Sequence, residues 1–445
     1  MKSLIATHLI LKNLNQCVEQ VGNYFYALHI PALDKSWIGL QCSQIVTYSL
    51  GEFVVSDRNG EKKIQSSPND VWKHLRDLIE PEETYFFMVS LDLQRSKQDV
   101  YLPSIVFVKP DLEICLDGGQ LPHIQISAKY PSIGEKTRIE VHNLLANKDL
   151  SGSQNIPYSD SNTFSMNEWQ GESDESFLSR ITEAVHILKN QPQEQSKMVM
   201  CRGYNKVFSD QISLVDLYEK YTLMERNCAA SHYFQMPSQV TSFGCSPENI
   251  FELINQEIFI DVIASTRKRS TAVDEDTRLN QIFVNDFKEN KEHNMARDRS
   301  LRQLEKLCVP NSIKQVQDKN IRQLRHVVHL FSAYSGTLRN SLDYLDLLRE
   351  FFPPLTSYPP SLVGLLDDEE ANRFYGGMVG RVSSAPTRQV HCFNNLRSGL
   401  MKKNTMHIRG GVGVIKHSLP ESELLEVCNK LRCLLEALTL WEKNT

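Results

Sequence analysis

The segment Arg409–Lys430, RGGVGVIKHSLPESELLEVCNK, constrains the fold more than any other stretch of this chain. An apolar strand spaced by Gly411 and Gly413 runs through a Pro-containing turn into a helix. On that helix Glu423, Glu426 and Lys430 fall at i, i+3 and i+7, so two carboxylates and an ammonium share one face. Glycine lacks the Cβ that would hold a ligand away from the strand backbone. Strand and helix together are expected to enclose a site for a metal and an anion, although the same pattern by itself also describes a solvated Glu/Lys face.

With 445 residues, 41% hydrophobic and 23% charged, the chain can bury one large core or two to three ordinary ones, and disorder is excluded as its main theme. A net charge of -5, with Lys and Arg dispersed, offers no field for a phosphate backbone, so nucleic acid is not expected as a partner. Ten cysteines without a C-x-x-C pair indicate neither a zinc site nor a disulfide framework and suit a reducing, cytoplasmic compartment. The opening MKSLIATHLILKNLNQ reads as an amphipathic helix, and no run approaches membrane-span length.

Residues 1–148 form a β-rich half, with strand patterns in SWIGLQCSQIVTYSL, ETYFFMVSLDL, SIVFVKP and LEICLDG. Residues 149–175 are polar and aperiodic and read as a connecting loop. Residues 176–445 mix helices and strands: ESFLSRITEAVHILKN and DLYEKYTLMER have helical spacing, while KMVMCR, SHYFQMP and TSFGCSPENIFELI read as strands.

Four constellations lie in this second part. In KMVMCR, alternation puts Lys197, Val199 and Cys201 on one face, where an apolar surrounding can depress a lysine pKa and make a general base. In GCSPE, a Gly/Pro turn leaves Glu248 at a strand mouth, where partial burial would let it keep a proton and act as a general acid. VIASTRKRS ends a strand in small residues, open to an anion, and a basic cluster that reads equally as surface charge. In KENKEHNMARDRSL, Glu289 and Glu292 stand one helical turn apart, a pairing suited to Mg2+.

Taken in order, KMVMCR, GCSPE, IAST, EHNM, HLFS, YGGMVG, NLRS, GGVGVI and ESELLEVCNK resemble the chorismate-utilising enzymes, which include isochorismate synthase, salicylate synthase and the anthranilate synthase and aminodeoxychorismate synthase components I. The resemblance covers roughly residues 175–445. It implies a single α+β unit, two antiparallel sheets flanked by helices with the site between them. It also implies roles: Glu292 and Glu426 as Mg2+ ligands, Glu289 and Glu423 in support, Arg397 and Lys430 as cations for substrate carboxylates, and Gly411 and Gly413 as backbone donors. Thr266, His329 and Tyr375 complete the implied substrate site, and chorismate is the implied small-molecule substrate. A monomer or homodimer is expected.

Lys197 matches the water-activating base of isochorismate-forming enzymes, where ammonia-using relatives carry an amide, and Ala264 stands where aminodeoxychorismate synthases place a lysine. The resemblance thus points to Mg2+-dependent water addition at C2 of chorismate with loss of the 4-hydroxyl. EFFPPLTSYPP and STRKRS are similar to salicylate-type patterns and leave open a second step to salicylate plus pyruvate. The alternatives are an ammonia-using enzyme with an amidotransferase partner and a silent chorismate binder. Three departures from the family pattern, Ser265, Val412 and Pro359, are expected to add bulk where backbone should meet substrate.

Overall fold

The computed structural model describes residues 1–14, 25–94, 102–118, 123–128, 131–146, 168–192, 196–209, 212–236, 240–365, 374–383 and 388–443. Most of the stretch read as a polar loop, 149–167, lies outside the described residues; its tail holds the short strand β8 (Gln170–Gly171). The opening segment folds as α1 (Lys2–Lys12).

Every strand pairing among the described residues is antiparallel, and two long strands organise the whole. These are β2 (Lys35–Ser49) and β6 (Ile105–Asp117), paired with each other along their length. The sequence suggests two strands broken at Pro110; instead one strand passes through it. Proline has no amide to give a ladder, so it is tolerated where pairing is already interrupted. Here it sits opposite Cys42, beside the register shift between Cys42 and Gln44. Such a shift bends a strand and raises its twist, which lets β2 and β6 pass from one sheet into another.

Beyond the bend, the Gln44–Ser49 half of β2 pairs with β3 (Glu52–Asp57), which pairs with β4 (Gly60–Gln65). On the other side, β6 leads through β5 (Tyr85–Val89), β16 (Met378–Ser383), β17 (Gln389–Asn394), β12 (Asn249–Ile254), β13 (Glu257–Lys268) and β15 (Val327–Thr337) to β14 (Lys314–Gln323). Before the bend, β6 pairs with β7 (His123–Ala128), while β2 leads through β1 (Phe25–Ile30), β10 (Ala230–Met236), β11 (Val240–Ser246), β18 (Ser398–Lys402) and β19 (Thr405–Val414) to β9 (Met198–Val207), where β8 joins. The two expected antiparallel sheets are present, made continuous by the strands they share.

An apolar layer lies where the sheets meet, built around Tyr26, Phe86, Phe234, Val379 and Phe393. Tyr26 and Phe86 stack at 5.7 Å, and Tyr26 meets Phe234 edge-on at 4.6 Å. The layer accounts for Gly39, where an added Cβ would stand 2.6 Å from the Phe86 ring. Outer faces are covered by helices. Against the second sheet pack α1, α4 (Asp174–Lys189), α5 (Leu214–Met224) and α9 (Pro420–Glu442), with α3 (Pro131–Ala146) set against β7 and α1. Against the first lie α2 (Val71–Leu78), α7 (Phe287–Leu307) and α8 (Tyr344–Phe351), and α6 (Val273–Asn285) precedes α7. Among the described residues, no helix is long and apolar enough to cross a membrane.

Candidate active site

A cavity of about 780 Å3 opens between the ends of the two sheets. The first sheet supplies β13 and β15, the second supplies β9 and β19, and α7 and α9 close the sides. Lys197, Glu248, Thr266, Glu292, His329, Tyr375, Arg397, Gly411, Gly413, Glu426 and Lys430 all line it. Glu289 and Glu423 are not among the lining residues, but each interacts electrostatically with Glu292.

Lys197 precedes β9 and is fixed there by a two-way backbone bridge to Tyr358, at 2.8 and 2.7 Å. Its side chain crosses the strand face opposite Gly413, where a Cβ would stand 1.9 Å from the Lys197 Cε. Gly411 plays a similar part, since a Cβ there would meet the Cys201 Sγ and the Tyr375 hydroxyl at 3.1 Å. A Cβ at Gly413 would force the Lys197 side chain out of its present position, and one at Gly411 would crowd the Tyr375 hydroxyl. Beyond Ile408 the β18–β19 ladder stops, and the Gly411 carbonyl accepts from Lys430 Nζ at 2.9 Å.

The apolar strand face was expected to depress the Lys197 pKa, and the structure gives the reverse direction. Burial does oppose its charge, but Glu292, 3.1 Å away, together with Glu426 and Glu423, outweighs burial and raises the pKa. Lys197 is an ammonium in the ligand-free chain. Glu248 behaves as its sequence context suggests: burial, reinforced by the nearby Asp261 charge, lifts it to about 7 against the pull of an Asn394 hydrogen bond at 2.9 Å. The carboxyl is half protonated near neutrality.

Behind Glu248 stands a pair that sequence reading missed. Arg322 Nη1 donates to Asp261 Oδ2 at 2.7 Å and to the Pro247 carbonyl at 2.8 Å, and its guanidinium lies 4.0 Å from the centre of the Phe331 ring. One arginine thus fixes both the turn carrying Glu248 and the carboxylate that perturbs it. The two residues are 61 positions apart in sequence, and only the β13–β15–β14 ladder brings them together.

On the opposite side, Arg397 sits in the segment that crosses from β17 to β18, with φ of +53°. Its carbonyl accepts from the Tyr221 hydroxyl at 2.9 Å and the Cys245 amide at 3.2 Å, which hold this left-handed backbone in place. Arg397 Nη2 donates to His329 Nε2 at 3.1 Å. His329 Nδ1 accordingly carries the proton and faces the Ser265 carbonyl and Thr266 Oγ1, each at 3.1 Å. Burial, then Arg397 and Lys430, push His329 well below its ordinary pKa, so it is a neutral orienting group.

Of the three departures, Ser265 and Val412 line the cavity, and Pro359 is not among the residues that line it. Ser265 occupies a bulge in β13 with φ of +63°, a conformation that favours glycine, and its hydroxyl is spent on the Glu289 carbonyl at 2.8 Å. Val412 packs into the apolar core under the second sheet. Pro359 lies in the Ser357–Pro359 strap, where Ser357 Oγ accepts from the Val199 amide at 2.9 Å. The basic run after Thr266 belongs elsewhere: Arg267 and Arg269 pair with Asp276 of α6 at 2.8 and 3.1 Å.

The donor chemistry of the acidic cluster fits Mg2+, which takes carboxylate oxygens. Burial, then Glu426 and Glu292, raise Glu423 to about 7, the strain a divalent cation would relieve. Among the described residues no three such side chains are drawn into a chelating group, because Glu292 is held by Lys197 and Glu426 by Lys430 at 2.6 Å.

Comparison with known proteins places this geometry. The family model for chorismate binding enzymes matches residues 40–436. Anthranilate synthase component 1 of Arthrobacter globiformis is 31% identical over 204 residues, 45% of this chain and 38% of that protein. The chain thus spans less than half the length of that relative. Two solved structures share the fold: the menaquinone-specific isochorismate synthase MenF of Escherichia coli, with TM-score 0.69, 17% identity and 95% and 91% of the two chains covered, and anthranilate synthase component I of Streptococcus pneumoniae TIGR4, with TM-score 0.69, 17% identity and 90% and 92% covered. With nearly its whole length matched by that family model, and its motifs gathered around one cavity, the chain belongs to the chorismate binding enzymes.

Proposed function

We propose that this chain adds water to C2 of chorismate as the 4-hydroxyl departs, forming isochorismate. The carrying observation is that Lys197, just before β9, and Glu248, in the turn between β11 and β12, line one cavity, the first an amine-bearing group and the second a carboxyl that keeps its proton near pH 7. Lys197 takes a proton from the attacking water, and Glu248 gives one to the leaving hydroxyl, so water enters at one carbon and water leaves from another. Lys197 works from its amine form, which requires Glu292 to turn away from it. Arg397 and Lys430 hold the substrate carboxylates, and Thr266, His329 and Tyr375 fix the orientation of Arg397 and the shape of the ring site. When held by Glu292 and Glu426, with Glu289 and Glu423 in support, Mg2+ supplies charge that compensates a carboxylate approaching this acidic wall.

A second reading, amination of chorismate with ammonia from an amidotransferase partner, is favoured by the sequence relatives, which are anthranilate synthase components. Product analysis by mass spectrometry separates the two. Chorismate with Mg2+ should yield isochorismate, or salicylate plus pyruvate if the enolpyruvyl group is lost in place; both should vanish on chelation. Anthranilate formed only with an ammonium salt would overturn water addition.

A further inference from the structure

The same cavity extends along α7 to the exposed Arg302. Arg299 and Arg302 stand one helical turn apart and both line it. Like charges at this spacing repel, and burial together with the neighbouring Arg302 lowers the Arg299 pKa. The hydrogen bond described for the Arg299 guanidinium, to the Pro353 carbonyl at 3.0 Å, uses one of its five N–H groups. Among the described residues Arg302 has no ion pair, and Glu350 of α8, which lines the same cavity, pairs with Lys306 at 2.6 Å. Glu248, the carboxyl that offsets Arg299, is half protonated near neutrality and cannot balance two guanidiniums. Met295 of the same helix, with Phe351, Pro354 and Leu355, adds apolar lining to the cavity.

Two forked donors in a cavity that also has apolar lining suit a planar carboxylate carried on a flat hydrophobic body. We propose that Arg299 and Arg302 form an outer subsite for an aromatic carboxylate, separate from the inner site built on Arg397 and Lys430. The cavity then holds anions at two stations. This does not depend on which reaction the inner site performs, because binding alone reports it.

The test is calorimetric titration of benzoate into the 445-residue chain and into Arg299→Gln, Arg302→Gln, Arg299→Lys and Arg397→Gln. Saturable binding should weaken tenfold or more in each Gln variant of the outer pair, recover in part in Arg299→Lys, and persist in Arg397→Gln. Arg302 is exposed, so its variant remains informative if Arg299→Gln fails to fold. Absence of saturable binding to the parent protein, unchanged binding in Arg302→Gln, or loss confined to Arg397→Gln would each overturn the subsite.

Discussion

At the residue scale, the fold sets the protons of the two groups proposed to move them: carboxylates hold Lys197 as an ammonium, and burial keeps Glu248 partly protonated near neutrality. Alternation in KMVMCR put Lys197 on the correct face, while the carboxylates that hold its proton come from α7 and α9, far along the chain. Glu248 was legible because a Gly/Pro turn marks a strand mouth; Asp261 and Arg322 were not, since neither carries a local signal. Glu248→Gln should leave chorismate binding intact and lower turnover about 10²–10⁴-fold, read by product formation and calorimetry. Its stability effect has a definite sign. The folded pKa of about 7 lies above the ordinary 4.5, so the protonated carboxyl contributes fully below the unfolded value, and that contribution is lost as pH rises through 7. Against the parent protein, the Gln variant should therefore gain stability from pH 4 to pH 8, by up to about 3 kcal/mol in chemical denaturation. Asp261→Asn removes a charge that raises Glu248, and the Glu248 carboxyl band in infrared difference spectra should titrate at lower pH. An unchanged midpoint would remove Asp261 from this role.

At the scale of elements, the strand β19 and the bulge in β13 show why small residues stand where they do. Gly413 was read from sequence as a backbone donor; the structure shows a space that only hydrogen can leave open beneath Lys197. Gly413→Ala should displace the lysine and lower turnover about as far as Lys197→Gln does, about 10²–10⁴-fold, with the fold retained in circular dichroism. Turnover near the parent's would show that the lysine tolerates displacement. Ser265 presents the opposite case. Its left-handed backbone costs about 1–2 kcal/mol for a residue with a Cβ, but its hydroxyl bond to the Glu289 carbonyl ties β13 to the first turn of α7 and offsets about 1 kcal/mol. Ser265→Gly should therefore be within about 1 kcal/mol of the parent, whereas Ser265→Ala keeps the strain, loses the bond, and should destabilise by about 1 kcal/mol. Thermal unfolding in the two variants checks the order. The sequence marked Ser265 only as a departure expected to add bulk; the positive φ at this bulge explains why a residue without a Cβ suits it.

At the scale of the molecule, the division of the chain into a β-rich half and a motif-bearing half does not correspond to a division in space. Motif order pointed to one α+β unit, and pattern identified strands in both halves; the strand that crosses between sheets was obscured because Pro110 reads as a terminator. The consequence is physical. Strand β10, which leads into the Glu248 turn through β11, pairs with β1, and β16, which precedes the Arg397 crossing, pairs with β5. The layer between the sheets draws Tyr26, Phe86 and Phe234 from both halves. A fragment of residues 176–445 would carry every residue proposed to act on substrate, but it would expose two unpaired strand edges and one whole face of that layer. Open edges of this kind favour aggregation over folding, and a few kcal/mol of net stability cannot absorb the loss of a buried aromatic layer. The fragment should show no cooperative thermal transition and no ligand-dependent stabilisation by chorismate, while the full chain shows both. Adding residues 1–148 as a separate chain should restore the transition if the pairings of β1 and β5 are what the fragment lacks. A fragment that melts cooperatively alone would mean that the motif-bearing half folds without its partner strands.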